Sequence, residues 1–82
     1  MLTGEQLRTI RNVLGLSGED IAKAMYITKQ SVSSIETGKT KSQSSINYYY
    51  LSLKEIIRNL DDEQMKDTCY KVLDIFESSK RP

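Results

Sequence analysis

The sequence predicts an all-α fold of five helices, and three observations carry that prediction. Apolar residues recur at spacings of three and four along most of the chain, the period of one face of a helix. Hydroxyl residues and glycines stand where those stretches begin and end, as helix caps do. Strand signals are poor: no Asn-Gly or Asp-Gly turn occurs, and the single proline is the last residue, Pro82.

The first helix opens at Thr3 with "TGEQ", a capping box in which hydroxyl and amide satisfy free backbone donors of the first turn. Leu7, Ile10 and Leu14 follow at helical spacing, and Gly15 ends the helix. Ser17 caps a second helix carrying Ile21, Ala22 and Met25, with Glu19 and Asp20 in its first turn, where acid complements the helix dipole. Thr28 caps a third with Val32 and Ile35 inward, and Gly38 supplies the left-handed residue that closes it. "TKSQSS" then reads as a polar loop. Ser44 or Ser45 starts the fourth helix, which runs to about Leu60, giving a span of about 45–60. Asp61 or Asp62 caps the fifth, about 62–78, and the two acids read as a helix start, not an acid/base couple. "ESSKRP" reads as a frayed tail.

At 82 residues the chain is expected to be one domain, residues 1–82, short for a self-sufficient core. With 38% hydrophobic and 28% charged residues, the composition is that of a soluble protein. No apolar run approaches the ~18 residues that cross a bilayer. "MLTGEQLRTIR" lacks the layout of a signal peptide, so the expected compartment is the cytoplasm. Cys69 has no second cysteine to pair with, fits a reducing compartment, and sits on an apolar face as a small core residue. The absence of histidine excludes a Cys/His metal site and a histidine-activated nucleophile, so neither metal nor cofactor is expected. Residues 1–45 hold six Lys/Arg against four Asp/Glu, and residues 46–82 hold six against seven. The basic surplus therefore lies in the first half, where Lys29, Lys39 and Lys41 flank the third helix.

The second and third helices are the informative part, over about 17–38. Two short helices joined by a tight turn must cross steeply to share a core, and Ala22 supplies the small side chain such a contact needs. Val32 and Ile35 clamp the third helix from inside, which leaves its N-terminal end and outer face proud of the surface. A helix so presented fits the major groove of B-DNA.

These residues resemble the phage repressor and Cro-type helix-turn-helix family. The resemblance covers about residues 8–41, and its specific parts are the Gly-Leu-Ser lead-in to helix two, "DIAKAM", "TKQSVSSIE" and the "E-x-G-K" exit. One position departs: Tyr26 stands where the turn usually has glycine. If that backbone takes a positive φ, a bulky residue costs on the order of 1 kcal/mol relative to glycine. Either the turn avoids that conformation, or Tyr26 is strained and packed elsewhere.

The resemblance implies a five-helix, lambda-repressor-like DNA-binding domain. By it, Thr28, Lys29, Gln30, Ser31 and Ser34 occupy the positions from which the family reaches bases. A glutamine amide can pair with adenine N6 and N7, a lysine can donate to guanine O6 and N7, and short hydroxyls suit either. Thr28 and Ser31 fit better as positioning groups than as base readers. Ser33 can point to either flank and is left unassigned. Gly38, Lys39, Thr40 and Lys41 form a loop of bare amides and cations suited to a phosphate. Ser17 and the free amides of helix two would hold a second phosphate.

The second half is more apolar than one packed face requires. Leu53, Ile57 and Leu60 of helix four, with Val72, Leu73 and Phe76 of helix five, are expected to build a homodimer interface anchored by Leu73 and Phe76. The alternative is that helix five folds back over helix four to complete a monomeric core. In "YYY", Tyr49 is expected in the core, with Tyr48 or Tyr50 near a phosphate or the dimer seam.

The expected function is therefore sequence-specific regulation of transcription by a homodimer on a palindromic double-stranded operator, at the nucleoid. A repressor of phage or mobile-element type fits best, with a regulatory protein partner as one means of control. The rivals are a helix-turn-helix subunit that binds protein, antitoxin-like or inhibitory, and a small enzyme. The missing histidine and the lack of clustered carboxylates or a glycine loop oppose the enzyme.

Overall fold

A computed structural model describes residues 2–78. It contains α1 (Gly4–Val13), α2 (Gly18–Met25), α3 (Lys29–Glu36), α4 (Gln43–Arg58) and α5 (Glu63–Ser78). The first three starts follow the local chemistry. Thr3 Oγ1 accepts from the Gln6 amide at 3.2 Å, and Gln6 Oε1 accepts from the Thr3 amide at 3.0 Å. Ser17 and Asp20 form a second reciprocal box, at 3.1 and 2.9 Å. The Ser17 amide holds the Asp20 carboxyl below its usual range. Thr28 Oγ1 accepts from the Ser31 amide at 3.1 Å. Gly15 and Gly38 close α1 and α3 with φ of +75° and +84°.

The fourth helix begins earlier than Ser44 or Ser45. Ser42 is its cap, accepting from the Ser45 amide at 3.4 Å, so Gln43, Ser44 and Ser45 form the first turn rather than a loop. The helix ends at Arg58, two residues short of Leu60, where the Asn59 amide donates back to Glu55 and Ile56 carbonyls at 3.2 Å each. Asp62, not Asp61, caps α5, its Oδ1 accepting from the amides of Gln64 (2.9 Å) and Met65 (3.2 Å). The helix ends at Ser78, as its expected span of about 62–78 had it, so Glu77 and Ser78 are helical although "ESSKRP" also read as a tail; the rest of that stretch lies outside the described residues.

All five helices feed one buried cluster, in which Leu7, Ile10, Ile21, Val32, Tyr49 and Leu53 are among the most completely buried side chains. Cys69 lies within it, as expected. Helix α5 folds back against α1 and α4, which corrects the expected dimer surface. Leu53, Ile57 and Leu73 are 0%, 1% and 3% exposed, so they belong to the interior of the chain and offer nothing to a partner. Leu60, Val72 and Phe76 are half-buried. Among the described residues no helix is long and apolar enough to cross a membrane. No His/Cys/Asp/Glu group there is arranged to hold a metal ion.

Tyr26 resolves the question its sequence position posed. Its backbone is left-handed, φ 58° and ψ 42°, and its ring is 91% exposed. The strain is real and no packing offsets it. Tyr26→Gly is expected to raise stability by roughly 0.5–1 kcal/mol, the left-handed penalty less the greater unfolded-state freedom of glycine. Thermal melts should move up by a few degrees; a downward shift would mean that the ring makes a stabilising contact.

Candidate nucleic-acid interface

Helix α3 is seated by its inner residues and presents its outer ones to solvent. Val32, Ile35 and Glu36 are buried, while Lys29, Gln30, Ser33 and Thr37 are exposed and Ser34 is half-buried. At 100° per residue those outer positions share one face, opposite the clamp. Thr28, Gln30, Ser31, Ser33, Ser34, Thr37 and Lys39 line one shallow polar groove along it. The side chains of Lys29 and Gln30 have no partner among the described residues, so their donors and acceptors are available. Thr28 and Ser31 differ: Thr28 Oγ1 takes the Ser31 amide and donates to Ser31 Oγ at 3.0 Å, so these hydroxyls hold one another and the helix start. Ser33, unassigned from the sequence, lies in the middle of the exposed face.

The C-terminal end of α3 is fixed by a buried ionic cluster that sequence reading missed. Arg11 Nε donates to Glu36 Oε2 at 2.8 Å and Nη2 to Oε1 at 3.2 Å, a bidentate pair. Arg11 Nη1 also donates to the Leu16 carbonyl at 3.0 Å. The Tyr49 hydroxyl donates to Glu36 Oε2. Two other helices, α1 and α4, thus converge on the one carboxylate of α3, and Arg11 ties the α1–α2 loop to the same cluster. No buried polar side-chain atom is left without a partner among the described residues. The available signal was a carboxylate next to Ile35, on the inward side of an otherwise apolar clamp.

Burial, and then the neighbouring Glu36, push the Tyr49 phenol above its ordinary value of 10. An unfolded tyrosine ionises near 10 while Tyr49 stays protonated in the fold. Its contribution is therefore complete below about pH 10 and declines as the pH rises beyond it. Tyr49→Phe is expected to flatten alkaline destabilisation in denaturant titrations; an unaltered slope would assign it to other groups.

The expected phosphate sites fare unequally. In the loop after α3, the amides of Gly38 and Thr40 already donate to the Ile35 and Ser34 carbonyls, at 3.3 and 3.0 Å. What the loop offers is the exposed ammonium groups of Lys39 and Lys41. At α2, the Ser17 amide is taken by Asp20, and Glu19 stands beside it. The capping box therefore sets carboxylates beside the helix start where Ser17 and the free amides were expected to hold a phosphate.

A family model described as helix-turn-helix matches residues 7–49, which contain the crossed pair α2–α3 and all three members of the Arg11–Glu36–Tyr49 cluster. Searches among curated proteins and among solved structures returned no match. The match spans more than half of the chain, and the protein belongs to the XRE/Cro-like helix-turn-helix family of DNA-binding regulators.

Proposed function

We propose that this regulator is a homodimeric repressor of phage or mobile-element type that covers a palindromic operator. The observation that carries the base-reading role is the free, outward pair Lys29 and Gln30 at the start of a helix clamped from within by Val32 and Ile35. Ser34 and Ser33 extend the same face, Thr28 and Ser31 set its height, and Lys39 and Lys41 supply backbone contacts. Selection of bound duplexes from a random pool tests it. The wild type is expected to return a palindrome. Gln30→Ala should lose discrimination at one symmetric pair of positions by about 1–3 kcal/mol, roughly 5- to 150-fold. Selection of the same site with the same stringency would remove Gln30 from base reading.

Two copies are needed for a palindrome, with half-sites about 34 Å apart. With Leu53, Ile57 and Leu73 inside the fold, the surface that supports a seam is the apolar groove lined by Val13, Leu60, Met65 and Val72, with the exposed Ile75 about one turn further along α5. Met65, Ile75 and Val13 are 54%, 67% and 59% exposed. Ile75→Asp is expected to shift sedimentation to the mass of one chain. A wild type that is already monomeric at every concentration would remove the dimer.

One observation favours the protein-binding alternative: Tyr26, Tyr48 and Leu51 are exposed around a groove against α4. Salt dependence separates the readings, because phosphate contacts give a steep negative slope of log K against log salt and a protein interface need not.

A further inference from the structure

The cations of this chain fall into two groups. Lys23, Arg58, Lys66 and Lys71 each pair with a carboxylate on their own helix, Arg11 pairs with Glu36, and Lys54 lies over the Tyr50 ring. Among the described residues, the Lys and Arg side chains without a partner are Arg8, Lys29, Lys39 and Lys41. Three of these belong to α3 and the loop after it. The fourth, Arg8, is on α1, yet it lines a groove with Lys29, Ser33 and Thr37 of α3's outer side. The interior of that groove holds Glu36, whose charge Arg11 already neutralises. Its rim therefore carries two unopposed positive charges. This groove and the one lined by Gln30 and Lys39 share Ser33 and Thr37, so they lie on the two sides of α3's exposed face. A helix lying in a major groove has a sugar-phosphate strand along each side.

We infer that Arg8 is a DNA-backbone contact, gripping a phosphodiester on the strand opposite the one held by Lys39 and Lys41. The inference rests on the duplex-binding reading above. A guanidinium suits the role because its planar fork meets two phosphate oxygens at once. Arg8 is exposed and unpaired, so its replacement should leave the fold intact, which circular dichroism melts verify.

The test is anisotropy of a mixed-sequence duplex titrated with full-length protein across a salt series. Arg8→Ala is expected to reduce the slope of log K against log salt by about 0.9 for each bound copy, with Arg8→Lys retaining it. Lys71→Ala, which removes the same charge from α5, should leave the slope as in the wild type. On the duplex returned by selection, neutral methylphosphonate at successive backbone positions should weaken the wild type at one symmetric pair of positions to which Arg8→Ala is indifferent. The inference is overturned if Arg8→Ala keeps the wild-type slope, or if Lys71→Ala lowers it equally. A wild type with no salt-dependent hold on duplex DNA would instead sink the DNA-binding reading, and this inference with it.

Discussion

Glu36→Ala is expected to destabilise the protein by about 3–5 kcal/mol, because it leaves the Arg11 guanidinium charged and nearly buried, with no counter-charge and the Leu16 carbonyl as its remaining partner. The side chains of Arg11 and Glu36 are 13% and 7% exposed, so little solvent reaches the pair in the intact fold. Tyr49 loses its acceptor in the same step. For a domain of this size each kcal/mol moves the melting temperature by about 4–8 °C, so a fall of on the order of 15 °C or more is expected. Small domains hold roughly 5–15 kcal/mol in total, so a large share of the variant would be unfolded in mild denaturant. Urea unfolding followed by circular dichroism measures this directly. The double replacement Arg11→Met with Glu36→Leu should recover most of the loss, since a buried pair exchanged for apolar groups is often near neutral. A loss below about 1 kcal/mol for Glu36→Ala would place the pair among ordinary surface ion pairs.

Gly4→Ala is the second large effect, and here two principles oppose each other. Alanine is the better helix former by about 1 kcal/mol, which predicts a gain. A Cβ at Gly4, however, would stand 1.9 Å from the Ile35 carbonyl oxygen, 2.9 Å from its carbon and 3.2 Å from the Glu36 Cα. All three atoms are backbone, so no rotamer change relieves the clash, and α1 must move off the end of α3. Overpacking of this kind costs about 1–3 kcal/mol and occasionally more. A net loss of about 2–3 kcal/mol is expected, read by the same unfolding curves. A more stable Gly4→Ala would mean that α1 does not sit so closely on α3. The two sites meet at one junction, so their effects should be non-additive in a double mutant.

Local chemistry was legible in the sequence and tertiary choice was not. Thr3, Ser17 and Thr28 announced their helices because a cap acts within three residues. The start of α4 was misread because Ser42, Ser44 and Ser45 carry the same hydroxyl, and packing decides among them. Periodicity identified Leu53, Ile57 and Leu73 as apolar-face residues. It could not say that the covering element was α5 of the same chain. Arg11–Glu36 and Tyr49–Glu36 span 25 and 13 residues, and no local pattern joins them. At the candidate interface, the exposure of Lys29 and Gln30 followed from the inward positions of Val32 and Ile35. Arg8 could not be placed there until the crossing of α1 and α3 was known.

The fastening at Glu36 makes α3 a cantilever. Its far end is bolted to α1 and α4 through Arg11 and Tyr49, while the side-chain hydrogen bonds at the other end are those between Thr28 and Ser31. The root is thus held by charged and phenolic bonds that reach across the fold, which keeps the whole probe pointing outward.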